Sequence, residues 1–73
     1  MYKYRTKEGV FSIVPYHRSG WKLLLDKEII NDFYIAAQDA VDDLVDGLYI
    51  QGMDGKTSDL GIPADIRDWV RCK

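Results

Sequence analysis

A chain of 73 residues is one domain, and at this length folding buries only about 60% of the surface exposed by the unfolded chain, leaving little depth for an enclosed active site. A composition of 47% hydrophobic and 30% charged residues argues for a globular core under a wet surface, and no apolar run approaches the roughly 18–20 residues that span a bilayer as a helix. The net charge of −2 is unevenly spread: residues 1–25 hold Lys3, Arg5, Lys7, Arg18 and Lys22 against Glu8 alone, a net +4, while residues 26–73 stand at −6.

Tyr2, Tyr4 and Thr6 alternate with Lys3, Arg5 and Lys7, the period-2 pattern of a half-buried strand with its charges in water. Lys7-Glu8-Gly9 reads as a turn. The run Val10–Tyr16 is rich in β-formers, with Phe11 and Ile13 on one face, and Pro15, which has no N–H to donate, should mark its end or an edge position. After the turn His17-Arg18-Ser19-Gly20, Trp21, Leu23 and Leu25 line one face of a third strand. Asp26-Lys27 then reverses the chain into a short fourth strand, Glu28–Asn31.

From Phe33 to Leu48 the apolar residues Phe33, Ala37, Ala40, Val41, Leu44, Val45 and Leu48 recur at intervals of three and four, which predicts a helix capped by Asn31 or Asp32 and stopped at Gly47 in a left-handed conformation. Gly52 to Asp59 is loop by composition. Pro63 suits the first turn of a short C-terminal helix whose apolar stripe is Ile62, Ile66, Trp69 and Val70.

Asp39, Asp42, Asp43 and Asp46 lie at i, i+3, i+4 and i+7 and so share the opposite face of the predicted helix. Carboxylates on adjacent turns supply too few convergent oxygens to cage a cation, so no metal site is expected there. Their plain reading is a solvated face and their functional reading is a protein-binding surface for a basic partner. Asp54-Gly55-Lys56-Thr57-Ser58-Asp59 lacks the acids of a calcium loop and reads as an ordinary turn. His17 is the only histidine, and no motif places Ser12, Ser19, Ser58 or Cys72 beside it as a nucleophile. Catalysis and a cofactor are therefore not expected. Lys3, Arg5 and Lys7, with Tyr2, Tyr4 and Tyr16 nearby, are candidates for nucleic-acid binding, although alternation sets Tyr2 and Tyr4 on the face opposite the cations. Trp21 and Trp69 read as core anchors. A lone Cys72 and an N-terminus without a signal-like apolar core suit the cytoplasm.

The Val14-Pro15 turn region, Gly20-Trp21 opening a strand, and Phe33 followed by Ala37-Gln38-Asp39-Ala40 resemble, over residues 10–48, small uncharacterised bacterial and phage domains in which a β-meander precedes one helix. The layout is also similar to HicB-type antitoxins and to double-stranded-RNA-binding-like domains. The resemblance implies a three-stranded meander packed on a helix and, by analogy, an antitoxin-like regulatory or RNA-binding role. The expected fold is α+β: an antiparallel meander of three or four strands on one long helix, plus a short C-terminal helix. The expected core is Tyr4, Phe11, Ile13, Trp21, Leu23, Leu25, Phe33, Ala37, Ala40, Val41, Leu44 and Leu48. The leading functional expectation is a non-catalytic protein-interaction module using a sheet edge or the acidic helix, and the alternative is nucleic-acid binding through the N-terminal strand.

Overall fold

Alternation, tight turns and one amphipathic stretch resolve into five strands and one α-helix in the computed structural model, which describes residues 1–72. The strands are β1 (Tyr2–Thr6), β2 (Gly9–Tyr16), β3 (Gly20–Leu25), β4 (Glu28–Tyr34) and β5 (Val70–Arg71), and the helix α1 (Ala37–Asp46) follows β4. They form one sheet in the order β4-β3-β2-β1-β5 with every neighbouring pair antiparallel. The architecture is α+β, a meander closed by the C-terminal strand.

Two short turns hold the register. At the β3–β4 turn, Asp26 adopts a positive φ of 53°, its carboxylate accepts the Val10 N–H at 3.0 Å, and its own N–H donates to the Val10 carbonyl at 2.8 Å. Gly9 makes room for that carboxylate: at its φ of 134° a Cβ would stand 2.7 Å from an Asp26 oxygen. The Asp26 contact also shows that Val10, and by alternation Val14 and Tyr16, aim their backbone groups at β3. Pro15 therefore faces the β1 side, beyond the last β1 pair, Tyr2 with Ile13. The strand runs through Pro15 to Tyr16 because the missing N–H falls where no partner strand remains.

The core lies between α1 and the inner face of the sheet. Phe11, Ile13 and Leu23 meet Ala37, Ala40, Val41 and Leu44, which occupy the i, i+3, i+4 and i+7 positions of one helical face. Burying a side chain the size of Leu44 stabilises the fold by about 1.5–3 kcal/mol. Tyr4, Trp21, Leu25 and Leu48 are half-buried at the margin of this core, and Trp69 is buried as the C-terminal anchor.

Several expectations need correction. The helix spans ten residues, Ala37–Asp46, in place of the long stretch Phe33–Leu48, and β4 continues past Asn31 to Tyr34. Tertiary pairing overrides the helical spacing of Phe33 and Ala37: Tyr34 sits opposite Trp21 on β3 and is buried, a core residue the periodicity hides. Phe33 is 68% exposed and is not a core residue. The register of β4 shifts between the Trp21 and Leu23 pairs and again between the Leu23 and Leu24 pairs, so β4 carries two bulges, the first around Asp32-Phe33.

Neither Asn31 nor Asp32 caps α1. Ala36 is extended at the N-cap, the Asp39 carboxylate accepts its N–H at 3.2 Å, and the Asp39 N–H donates to the Ala36 carbonyl at 3.0 Å. Gly47 does stop the helix, at φ 114° and ψ 115°, outside the left-handed region expected for it. The end is sealed by buried Thr57, whose hydroxyl donates to the Leu44 carbonyl (2.8 Å) and accepts the Leu48 N–H (2.7 Å). In place of a C-terminal helix there is a 3₁₀ turn, Ile66–Asp68, leading into β5 on the free side of β1. A two-turn helix cannot persist without docking, and here the segment gains more by pairing with an open strand.

Candidate functional site

Alternation from the buried Phe11, Ile13 and Leu23 places the intervening side chains on the outer face of the sheet, away from α1. The pairing aligns Lys3 with Ser12 and Leu24, Arg5 with Val10, and Val14 with Lys22. No element lies over this face among the described residues. It is a surface of mixed chemistry: cations on β1 and β3, aliphatic side chains between them, and an aromatic group at the β2–β4 end.

That group consists of Tyr16, His17 and Phe33. Tyr16 ends β2 on the outer side, and Phe33 reaches it from β4, their ring centroids 5.1 Å apart in an edge-on arrangement at 77°. Between them β3 contributes Gly20, the partner of Tyr16, which has no side chain to intervene. His17 lies 4.1 Å from Tyr16 and stacks near-parallel to Phe33 at 6.3 Å and 23°. The Lys22 Nζ stands 5.4 Å from the centroid of the Tyr16 ring, within cation–π range.

The bulge explains how Phe33 gets there. Asn31 and Tyr34 both pair inward, with Leu23 and Trp21, so two residues on β4 must fit opposite the single Lys22. Phe33 absorbs the extra residue by taking a φ of 64°, a conformation that costs a bulky residue of order 1–3 kcal/mol. The strain is spent on turning a phenylalanine outward. Alternation from Asn31 sets Asp32 on the same side.

Sequence-predicted residues fall into two sets. Lys3 and Arg5 are exposed on the outer face of β1 and Lys7 is exposed in the adjoining turn, while Tyr2 and Tyr4 are half-buried on the inner side, against Trp21 (5.9 Å) and Trp69 (5.7 Å). Tyr16, by contrast, shares the face of Lys3 and Arg5. Of the four aspartates, three are engaged within the chain. Asp39 binds the Ala36 N–H, Asp42 accepts from the Gln38 amide at 2.9 Å, and Asp43 accepts from the Tyr34 hydroxyl at 2.8 Å.

The Tyr34–Asp43 pair couples sheet to helix. Burial first, and then the hydrogen bond to the Asp43 carboxylate, push the Tyr34 hydroxyl up to about 12, while the Asn31 amide 3.2 Å away acts weakly in the other sense. Gln38 ties α1 to the C-terminal segment by donating to the Ala64 carbonyl (2.7 Å) and accepting the Ile66 N–H (2.9 Å). The hydrogen bonds of Arg67 to Asp65, one at 2.7 Å, hold the Asp65 carboxyl down at about 2 and raise the guanidinium. That pair is local to its turn and faces no cleft.

Among the described residues no three His, Cys, Asp or Glu side chains cluster as metal ligands. The groove between Glu28–Ile30 and Tyr49–Gln51 is open and encloses about 230 Å³, below the size of ordinary small-molecule sites. No helix among the described residues is long and apolar enough to cross a membrane.

Sequence reasoning missed Phe33 and Lys22 as surface-site residues. Lys22 was legible, since it alternates out of phase with Trp21 and Leu23; the outward turn of Phe33 depends on a bulge that no local pattern marks. The chain matches no protein-family model, no curated protein and no solved structure.

Proposed function

We propose that this protein is a small non-catalytic binding module whose working surface is the outer face of the sheet. One observation carries the reading: Phe33 is held exposed in a strained backbone conformation, beside Tyr16 and His17, on the same face as Lys3, Arg5 and Lys22. Stability alone does not account for a large apolar ring kept in water at a conformational cost, and such strain persists where an exposed side chain has work to do. The acidic helix is the second protein-binding reading, and the internal hydrogen bonds of Asp39, Asp42 and Asp43 weigh against it. Asp46, whose side chain makes no hydrogen bond among the described residues, is its remaining candidate. A cytoplasmic location belongs to this proposal and is supported by the single cysteine, which suits a reducing compartment.

A photo-cross-linking residue placed at Phe33, and separately at Asp46, tests this in living cells expressing the protein. The reading predicts a discrete adduct from position 33 that a Lys22→Glu change removes, with protease and nuclease digestion revealing the kind of partner. An adduct from position 46 alone moves the function to the helix, and no adduct from either position refutes a binding role.

A further inference from the structure

We infer that the occupant of the outer sheet face is a single-stranded nucleic acid, with Phe33 and Tyr16 as the base-stacking platform and Lys3, Arg5 and Lys22 as the phosphate contacts. This rests on the binding-module reading and names its partner.

The charge layout argues first. The net charge is −2, yet the outer face carries Lys3, Arg5 and Lys22, with Arg18 in the turn at one end and Lys7 in the turn at the other. The carboxylates of Asp39, Asp42, Asp43 and Asp46 are on α1, across the sheet. A polyanion is therefore drawn to one side of the molecule and repelled from the other, which orients its approach. The acidic exceptions are Asp32 beside Phe33, Glu8 beside Lys7 in its turn, and Asp26, whose carboxylate is held by the Val10 N–H.

The aromatic group argues next. A nucleic acid offers planar bases together with phosphates, and this face offers rings together with cations. From β4 to β1 are three strand spacings of about 4.8 Å, roughly 14 Å. Lys3 and Arg5 also lie two and four residues further along the strands than Lys22, about 7 and 13 Å. The direct paths from Phe33 are therefore about 16 and 20 Å and accommodate about five to six nucleotides at about 3.4 Å each. A base placed on Phe33 thus leaves its neighbours' phosphates over Lys22 and then over Lys3 or Arg5. Duplexes bury the flat faces of their bases, so the exposed Phe33 ring, backed by half-buried Tyr16, selects unpaired strands.

Lys22 argues against a protein as the occupant. Lysine is depleted from the buried centres of protein interfaces, yet here its ammonium stands in the middle of the face, between the β1 cations and the rings, 5.4 Å from the Tyr16 centroid. A protein partner would have to bury it, whereas a phosphate pairs with it in water.

Fluorescence anisotropy with labelled dT12, rU12 and a 12-base-pair duplex tests the inference on the full chain. Three phosphate contacts predict that affinity for single strands falls about 100-fold between 20 and 200 mM salt. The duplex should bind more weakly than either single strand, and the two single strands together tell DNA from RNA. Phe33→Gly suits the positive φ and relieves its strain, so the denaturation midpoint should hold or rise while binding weakens about 5- to 150-fold with the salt dependence unchanged. The double change Lys3→Gln, Arg5→Gln should instead flatten the salt dependence, and Asp32→Asn should strengthen binding. No binding of dT12 or rU12 at 20 mM salt overturns the inference. So does equal binding of duplex and single strands with no effect of Phe33→Gly, which is simple polyanion attraction. If the oligonucleotides fail but position 33 still cross-links to a protein, the module survives and the nucleic acid does not. Failure of both removes the function altogether.

Discussion

Replacing Tyr34 with phenylalanine removes one hydroxyl and keeps the ring, isolating the hydrogen bond that joins β4 to α1. That bond, 2.8 Å to the Asp43 carboxylate, has a charged acceptor and a partly buried site, which sets its value at about 1.5–3 kcal/mol. The raised pKa of the hydroxyl reflects burial first and this hydrogen bond second. The hydroxyl is pushed up to about 12 from an ordinary value near 10, and about two units at about 1.36 kcal/mol each set a ceiling near 3 kcal/mol on what burial and the hydrogen bond contribute together. Solvent at the edge of the pair lowers this to about 1–2 kcal/mol. Because the folded value lies above the unfolded one, the stabilisation is complete below about pH 10 and is lost as pH rises from about 10 to about 12. Urea denaturation of both proteins at pH 8 and pH 11 is the assay. Tyr34→Phe should be less stable by about 1–2 kcal/mol at pH 8, and the gap should narrow by about 1 kcal/mol at pH 11, where half or more of the linkage has been spent. Equal stabilities at pH 8, or a gap that does not change with pH, would refute the assignment of Tyr34 as a neutral donor bound to an ionised Asp43.

Three further outcomes follow from the same geometry. Leu44→Ala opens a cavity in the centre of the core and should cost about 2–5 kcal/mol, enough to unfold much of so small a domain, as read from the thermal or urea midpoint. Thr57→Val keeps the shape of a fully buried side chain but strips both the Leu44 carbonyl and the Leu48 N–H of their partner, and should cost about 1–3 kcal/mol with fraying of the last turn of α1 in amide exchange. Asp65 should remain ionised down to about pH 2, and Arg67→Gln should move its titration up toward the usual carboxylate range without reaching it, because the backbone N–H of residue 67 still donates to the carboxylate, as followed by carboxyl NMR. That last change acts on an exposed pair and should leave the denaturation midpoint where it was.

What could be read from the residues beforehand depended on how local each cause was. The first three strands and their turns follow from alternation and from short Gly- and Asp-containing reversals, and all are present. The apolar side of α1 was equally plain, since Ala37, Ala40, Val41 and Leu44 repeat on one face. Its beginning was not, because Phe33 and Ala37 satisfy helical spacing while Tyr34 pairs with Trp21 thirteen positions earlier, and only the pairing decides. β5 has two residues and no period to detect; it exists because β1 offers a free side next to buried Trp69. The outward cations of the site were legible from alternation, whereas the aromatic half was hidden in a bulge. The acidic helix looked uniformly solvated because a hydrogen bond such as Tyr34 to Asp43 leaves no mark on periodicity.

The two bulges of β4 have a consequence for how the molecule behaves in a crowd. β4 is the long unpaired edge of the sheet, and exposed Ile29 and Ile35 lie along it or just beyond. A straight edge of that composition would template the strands of other molecules and grow into aggregate. With the register broken twice in seven residues, its free N–H and C=O groups no longer present the even ladder that an incoming strand needs. At the opposite edge β5 offers only two residues. The sheet therefore ends at both sides, and concentrated solutions of the protein should stay free of β-rich assemblies until the bulge is straightened.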